Sequence, residues 1–186
     1  MNNRIMQNLF TKEEVLLLKN IIDQQTGVLK LDEPQLGRTR YDLDDLPHEV
    51  MIKVNKIAYD INVDLEFSFA YYVEYSLKYG EPCLPVHTDL VHSKLVIDYQ
   101  LDSNMDWSIY VDGNQFKLKD NESLTINVNS QAHWRPQRKF KDEESLKMVF
   151  FHFIDKTDPT PRILSREEVF AIQKKWDHLW SIWEKD

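Results

Sequence analysis

At 186 residues the chain has the length of one domain, and its 42% hydrophobic content, with nine Phe, eight Tyr and five Trp, can fill a core without staples. A formal net charge of −8 argues against a protein whose main partner is a nucleic-acid backbone. The lone cysteine, Cys83, excludes an intramolecular disulfide. No apolar run approaches a membrane span and no signal peptide opens the chain, so a cytoplasmic protein without a membrane partner is expected.

Taken in chain order, Thr11-Lys12-Glu13-Glu14 is a capping box, and Val15, Leu16, Leu18, Ile21 and Ile22 recur at helical spacing, which predicts a helix over about 11–25. Asp44 or Asp45, then Pro47, opens a second helix over about 46–60, with Met51, Val54, Ile57, Ala58 and Ile61 as its buried stripe. From Leu65 to Tyr75 aromatic and β-branched residues take over, and strands are predicted there and at about 84–87, 94–101, 106–111, 115–118, 123–128 and 145–154. Asp112-Gly113 between two such runs is a hairpin signal. With only four glycines, the other tight turns fall to Asn, Asp and Pro. Short strands at this spacing predict a β-sandwich or jelly roll. Ser165-Arg166-Glu167-Glu168 is a second capping box and starts a helix over about 165–185. Its Phe170, Trp176, Leu179, Trp180 and Trp183 suit either packing on the sheet and first helices or a homodimer face. No repeat or linker divides residues 1–186, so a single domain is expected, with its β core at about 65–155.

The chemistry concentrates at His87-Thr88-Asp89 and His133. Residues two apart on an extended segment share a face. A second imidazole arriving from a distant strand would complete two imidazoles and one carboxylate on one face of a metal, the open arrangement of non-haem Fe(II) oxygenases. Alone, His-x-Asp is a weak signal that exposed strand residues produce by chance. Its company strengthens it. His87 follows Leu84-Pro85-Val86, His133 follows the strand Ser123–Val128 and a short turn, and Lys147 is a lone cation in the apolar run Ser145–Phe153. A cation in such a run is costly unless it meets an anion.

The stretch Tyr75-Ser76-Leu77-Lys78-Tyr79-Gly80-Glu81-Pro82-Cys83-Leu84-Pro85-Val86-His87-Thr88-Asp89 resembles the segment leading to the iron-binding His-x-Asp of 2-oxoglutarate/Fe(II)-dependent dioxygenases, in their prolyl and lysyl hydroxylase-like branch. Gln131-Ala132-His133-Trp134-Arg135-Pro136 resembles that family's distal-His segment, and Ser145–Phe151 its last core strand. A weaker echo lies in Gly37-Arg38-Thr39-Arg40-Tyr41. The resemblance implies a mainly β fold, a double-stranded β-helix (jelly-roll) core with flanking helices, and a hydroxylase. His87, Asp89 and His133 would bind Fe(II). Lys147 and Tyr75 would hold 2-oxoglutarate, with Arg135 and Arg138 as rivals of Lys147 and Tyr71, Tyr72 and Tyr79 as rivals of Tyr75. Dioxygen would be the oxidant, with succinate and CO2 released. An Asp at position 89 argues for hydroxylation over halogenation, whose practitioners keep a small residue there. Where the family has a glycine before the distal-His strand, this chain has Asp120-Asn121-Glu122.

The substrate expected is an amino acid, a peptidyl residue or another small molecule. Arg38, Arg40 and Tyr41 are candidates for gripping an anionic group, in what reads as a polar loop. His152 reads as structural, His92 as a residue near the rim, and His48 and His178 as solvated. Arg135 is expected to face the rim or a structural carboxylate, and Trp134 to shape the pocket or pack in the core. Two other classes compete: a non-oxidative cupin-like protein holding Zn(II) or a small ligand, and an interaction module in which His-x-Asp is accidental.

Overall fold

The computed structural model describes residues 3–24, 30–89 and 93–157. The expected C-terminal helix, its dimer face, His92 and His178 lie outside the described residues. Helix α1 (Lys12–Gln24) begins at the capping box: the Thr11 amide donates to Glu14 Oε2 at 2.6 Å and the Glu14 amide to Thr11 Oγ1 at 3.2 Å. Helix α2 (His48–Ile61) is entered through Pro47 rather than through an Asp side chain; no side-chain cap is made. None of the described helices is long and apolar enough to cross a membrane.

Eleven strands form two antiparallel sheets among the described residues: β1 (Ile5–Met6), β2 (Leu31–Glu33), β3 (Arg38–Asp42), β4 (Leu65–Ser76), β5 (Leu84–His87), β6 (Leu95–Ser103), β7 (Ile109–Val111), β8 (Asn114–Phe116), β9 (Glu122–Ile126), β10 (His133–Arg135) and β11 (Ser145–Asp155). The larger sheet runs β1-β9-β6-β11-β4-β3-β2 and the smaller β5-β10-β7-β8. This is a mainly β architecture with two helices, consistent with a jelly roll. Asp112 (φ 49°) and Gly113 (φ 86°) make the expected hairpin between β7 and β8. Asn121, at φ 62°, takes the turn before β9 without a glycine, and its side chain both accepts from the Phe10 amide and donates to the Phe10 carbonyl.

Side-chain parity sorts the larger sheet into two faces. Ala70 and Tyr72 of β4, Leu95, Ile97 and Tyr99 of β6, and Val149, Phe151 and Phe153 of β11 pack with Leu18, Ile22, Val50, Val54 and Ala58 of the helices. The other parity, including Val73 and Tyr75, Val96, Leu124 and Ile126, and Met148 and Phe150, faces the smaller sheet with its Ile109 and Val111. Each fully buried Leu, Ile or Phe contributes about 1.5–3 kcal/mol, so both faces are strongly specified. Strand β11 is therefore apolar on both sides, as a strand covered by helices on one face and a sheet on the other must be.

Arg38, Arg40 and Tyr41 lie on a strand, not in the expected loop: β3 pairs with β4 in the register Arg38↔Tyr75 and Arg40↔Val73. Gly37 fixes where that strand begins. Its φ is 58°, and a Cβ there would fall 2.3 Å from Pro82 N. Its carbonyl accepts from the Ser76 amide at 3.1 Å, setting β3 beside the end of β4. The left-handed backbone alone costs a side-chain-bearing residue about 1–2 kcal/mol. Gly37→Ala is expected to lower stability by about 2 kcal/mol or more, read as a reduced urea midpoint; an unchanged midpoint would contradict this account of the turn.

Candidate metal centre

Strands β5 and β10 are neighbours in the smaller sheet, and their register pairs His133 with His87 directly. The rings sit 4.2 Å apart between centroids. Asp89 follows two residues after His87, held by its amide donating to the Val128 carbonyl at 2.8 Å. Its Oδ1 lies 3.6 Å from His87 Nε2 and 3.9 Å from His133 Nε2. One ligand atom from each of the three side chains falls within 4.8 Å of the others.

Backbone carbonyls set the tautomers. His87 Nδ1 is 2.7 Å from the Pro85 carbonyl oxygen and His133 Nδ1 is 3.1 Å from that of Gln131. A carbonyl only accepts, so each Nδ1 carries the proton and each Nε2 presents a lone pair toward Asp89. Burial keeps both rings neutral. It lowers His87 to about 4, with His133 and Arg38 acting in the same direction against Asp89. It lowers His133 to about 4 against the hydrogen bond that His133 donates to the Gln131 carbonyl. Burial also raises the Asp89 carboxyl, opposed by His87 and Arg38. Two neutral imidazoles and a carboxylate, spaced wider than hydrogen bonds and oriented by carbonyls behind them, fit a divalent cation.

The loop before β10 is braced from three sides. Asn3 and Gln131 exchange two side-chain hydrogen bonds, of 3.0 and 2.9 Å, and Gln131 Oε1 accepts from the Asn127 amide at 2.9 Å. Asp112, at the hairpin tip, accepts from the Ala132 amide at 3.1 Å.

A cavity of about 210 Å³ opens beside the triad, lined by Arg38, Arg40, Tyr75, Asp98, Phe150 and His152 among others. Tyr75 is fully buried, and its hydroxyl accepts from Arg38 Nη1 at 2.9 Å. Arg38 Nε donates to Glu33 Oε2 at 2.6 Å.

Lys147 does not join this group, contrary to expectation. It has the parity of Val149 and Phe151, stands 3.7 Å from Asp102, and lines a separate groove with Lys30, Glu74 and Tyr79 on the helix side of the sheet. Arg138 is also elsewhere, bonded to Glu144 Oε1 at 2.9 Å and to the Asp106 carbonyl. Arg135 makes no ion pair among the described residues, though its charge acts on the buried Asp98 carboxyl. It is buried, bonded to the Trp107 carbonyl and stacked 5.4 Å from the Trp107 ring centroid. Trp134 packs with Val86 and Ala132 and stacks on Tyr110, outside the cavity.

Sequence reasoning passed over two lining residues. Asp98 is 4% exposed, and burial raises its carboxyl to about 7 against the pull of Arg135. His152, read as structural, faces the cavity instead: Ser93 Oγ lies 2.8 Å from its Nδ1, its ring stacks on Phe69 and Tyr71, and its Nε2 has no partner among the described residues. The lone-charge argument applied to Lys147 would have flagged Asp98 in Leu95-Val96-Ile97-Asp98-Tyr99 equally well.

No family model matches the sequence, and no curated protein matches it. Solved structures do match. A viral collagen prolyl hydroxylase from Paramecium Bursaria Chlorella virus-1, solved with 2-oxoglutarate, superposes with a TM-score of 0.59 at 9% identity, covering 83% of this chain and 96% of that one. HygX from Streptomyces hygroscopicus, solved with nickel, 2-oxoglutarate and hygromycin B, gives 0.60 at 12% identity and 82% of both chains. SnoN, a non-haem α-ketoglutarate-dependent epimerase from nogalamycin biosynthesis, gives 0.65 at 9% identity, covering 82% and 78%. The chain thus has the fold of 2-oxoglutarate/Fe(II) oxygenases, prolyl hydroxylases among them.

His152 gives this site a pH signature. Burial, with Arg40 and His133 nearby, lowers its pKa from 6.5 to about 3. The unfolded chain takes up that proton near 6.5 and the folded chain only near 3, so its contribution is complete above 6.5 and is lost as pH falls through that window. In metal-free protein, His152→Phe is expected to show a shallower fall of urea midpoint between pH 6.5 and pH 4 than the parent; parallel curves would mean that His152 is not held neutral.

Proposed function

We propose that this chain is a 2-oxoglutarate- and Fe(II)-dependent oxygenase of the hydroxylase type, built on a double-stranded β-helix, acting on a C–H bond of a small substrate. The observation that carries this reading is the register that sets His133 against His87 with Asp89 beside both, next to a cavity that contains a cation. His87 and His133 would hold Fe(II) through Nε2 and Asp89 through a carboxylate oxygen, occupying one face of the ion. The chemistry such a centre supplies is activation of dioxygen coupled to oxidative decarboxylation of 2-oxoglutarate to succinate and CO2.

The protein's own part is positioning and exclusion. Pro85 and Gln131 carbonyls hold the Nδ1 protons, so the imidazoles meet a metal without rotating. Val96, Val128 and Phe150 supply apolar wall that keeps bulk water from the reacting carbon. The far carboxylate of 2-oxoglutarate falls to Arg38 and Tyr75. Arg38 lines the same cavity as His87, Asp89 and His133, and its charge acts on both His87 and Asp89, which supports this role. Tyr75 shares its hydroxyl with Arg38 and adds a second polar contact.

Anaerobic addition of Fe(II) and 2-oxoglutarate is expected to produce a weak visible charge-transfer band, with slow succinate formation once air is admitted. His133→Ala should abolish both. Tight Zn(II) binding with no band would favour the non-oxidative cupin-like reading instead. Arg38→Met is expected to weaken 2-oxoglutarate binding by about 10- to 100-fold, the loss of a charge-assisted contact worth roughly 1.5–3 kcal/mol, whereas Lys147→Ala should leave it unchanged. Equal effects of the two variants in a titration of the band would refute the assignment of the anchor.

A further inference from the structure

The cavity contains two guanidiniums, and they differ. Arg38 is matched by Glu33 at 2.6 Å and by Tyr75. Arg40, two residues along the same strand and so on the same face, has neither an ion pair nor a hydrogen bond among the described residues. Its guanidinium carbon lies 5.1 Å from the centroid of the Tyr71 ring, which in turn stacks on Phe150 and His152. Its charge is felt at His152, while that of Arg38 is felt at the triad. His152, 4% exposed and lining the same cavity, has an Nε2 with no partner among the described residues. A partly buried cation and a buried nitrogen with no partner among the described residues line one cavity; with Ser93 Oγ donating to His152 Nδ1, His152 Nε2 carries the proton, and the two groups form a site for an anion.

From this we infer that Arg40, with His152 beside it, is the seat for a carboxylate of the primary substrate, which is accordingly a small monocarboxylic acid. This inference rests on the reading above, in which Arg38 and Tyr75 are assigned to the co-substrate. One planar fork matches one carboxylate bidentately. A phosphate dianion is a poorer fit, because it meets a single unpaired cation here and faces the carboxyl groups of Asp89 and Asp98 from the other wall. A second carboxylate on the substrate would meet the same repulsion. Tyr71, Phe150 and Val96, which line the same cavity, give the attached group apolar surroundings.

Benzoate is the probe, titrated into Ni(II)-loaded protein with and without 2-oxoglutarate and followed by calorimetry. Benzoate is expected to bind at least about 10-fold more tightly than benzamide or phenyl phosphate. Arg40→Met should remove that preference, and Arg40→Lys, which keeps the charge and loses the fork, should fall between. The inference is overturned if benzoate fails to bind, if the three probes bind alike, or if Arg40→Met binds benzoate as the parent does, which would mean that the metal takes it. It is equally overturned if Arg40→Met loses 2-oxoglutarate, since Arg40 would then be the co-substrate's anchor. Failure of the unaltered protein to bind 2-oxoglutarate would sink the proposed function, yet an Arg40-dependent preference for benzoate would still stand.

Discussion

The antiparallel contact between β5 and β10 is the constraint on which the rest depends. His87 and His133 are 46 positions apart, and only the pairing of these two short strands makes them neighbours. Side chains alternate along a strand, so a slip of one residue would send one imidazole to the outside, where Val86 and Trp134 now pack. The flanking groups resist that slip. Asp112 takes the Ala132 amide, the Asp112 amide in turn reaches the Ala132 carbonyl, and the Val128 carbonyl takes the Asp89 amide. Three separate loops are thereby fixed around one small volume.

The clustering of His87, Asp89 and His133 was legible in the sequence because its demands are local: His-x-Asp on an extended segment needs only parity, and a distal imidazole needs only a plausible strand. The capping box at Thr11 and the hairpin at Asp112-Gly113 were legible for the same reason, since each is a short-range geometric demand. Parity relative to the core was not legible for β11. Leu146, Met148 and Phe150 face one layer while Val149, Phe151 and Phe153 face another, so the run shows no polar alternation to reveal which side is inward. Lys147 looks enclosed in such a run and in fact stands on the helix side. Strand β3 failed differently. It is short and polar, lies next to the sheet's edge strand, and takes its extended form from hydrogen bonding to β4, a tertiary effect that Arg-Thr-Arg-Tyr does not announce.

Charge is divided across the cavity in a way that follows from this topology. Cations enter from β3, at one flank of the larger sheet, and acids from β6 and from the segment after β5. Tyr71, Tyr75 and Phe150 lie between, so opposite charges stay apart instead of neutralising one another. Arg135 sits deeper, satisfied by a carbonyl and an indole face, and lowers the neighbouring Asp98 carboxyl against the effect of burial. A ligand with a negative end would therefore be oriented on entry by the field alone, before any direct contact forms.

The bond pair between Asn3 and Gln131 ties the amino-terminal segment to the loop whose carbonyl orients His133. Residues near the start of the chain, remote in order from the triad, are thus mechanically part of the support of the candidate metal site. Trimming past Asn3, or fusing bulk there, would loosen one imidazole and not the other, turning a rigid three-point grip into a lopsided one from which an ion escapes more readily.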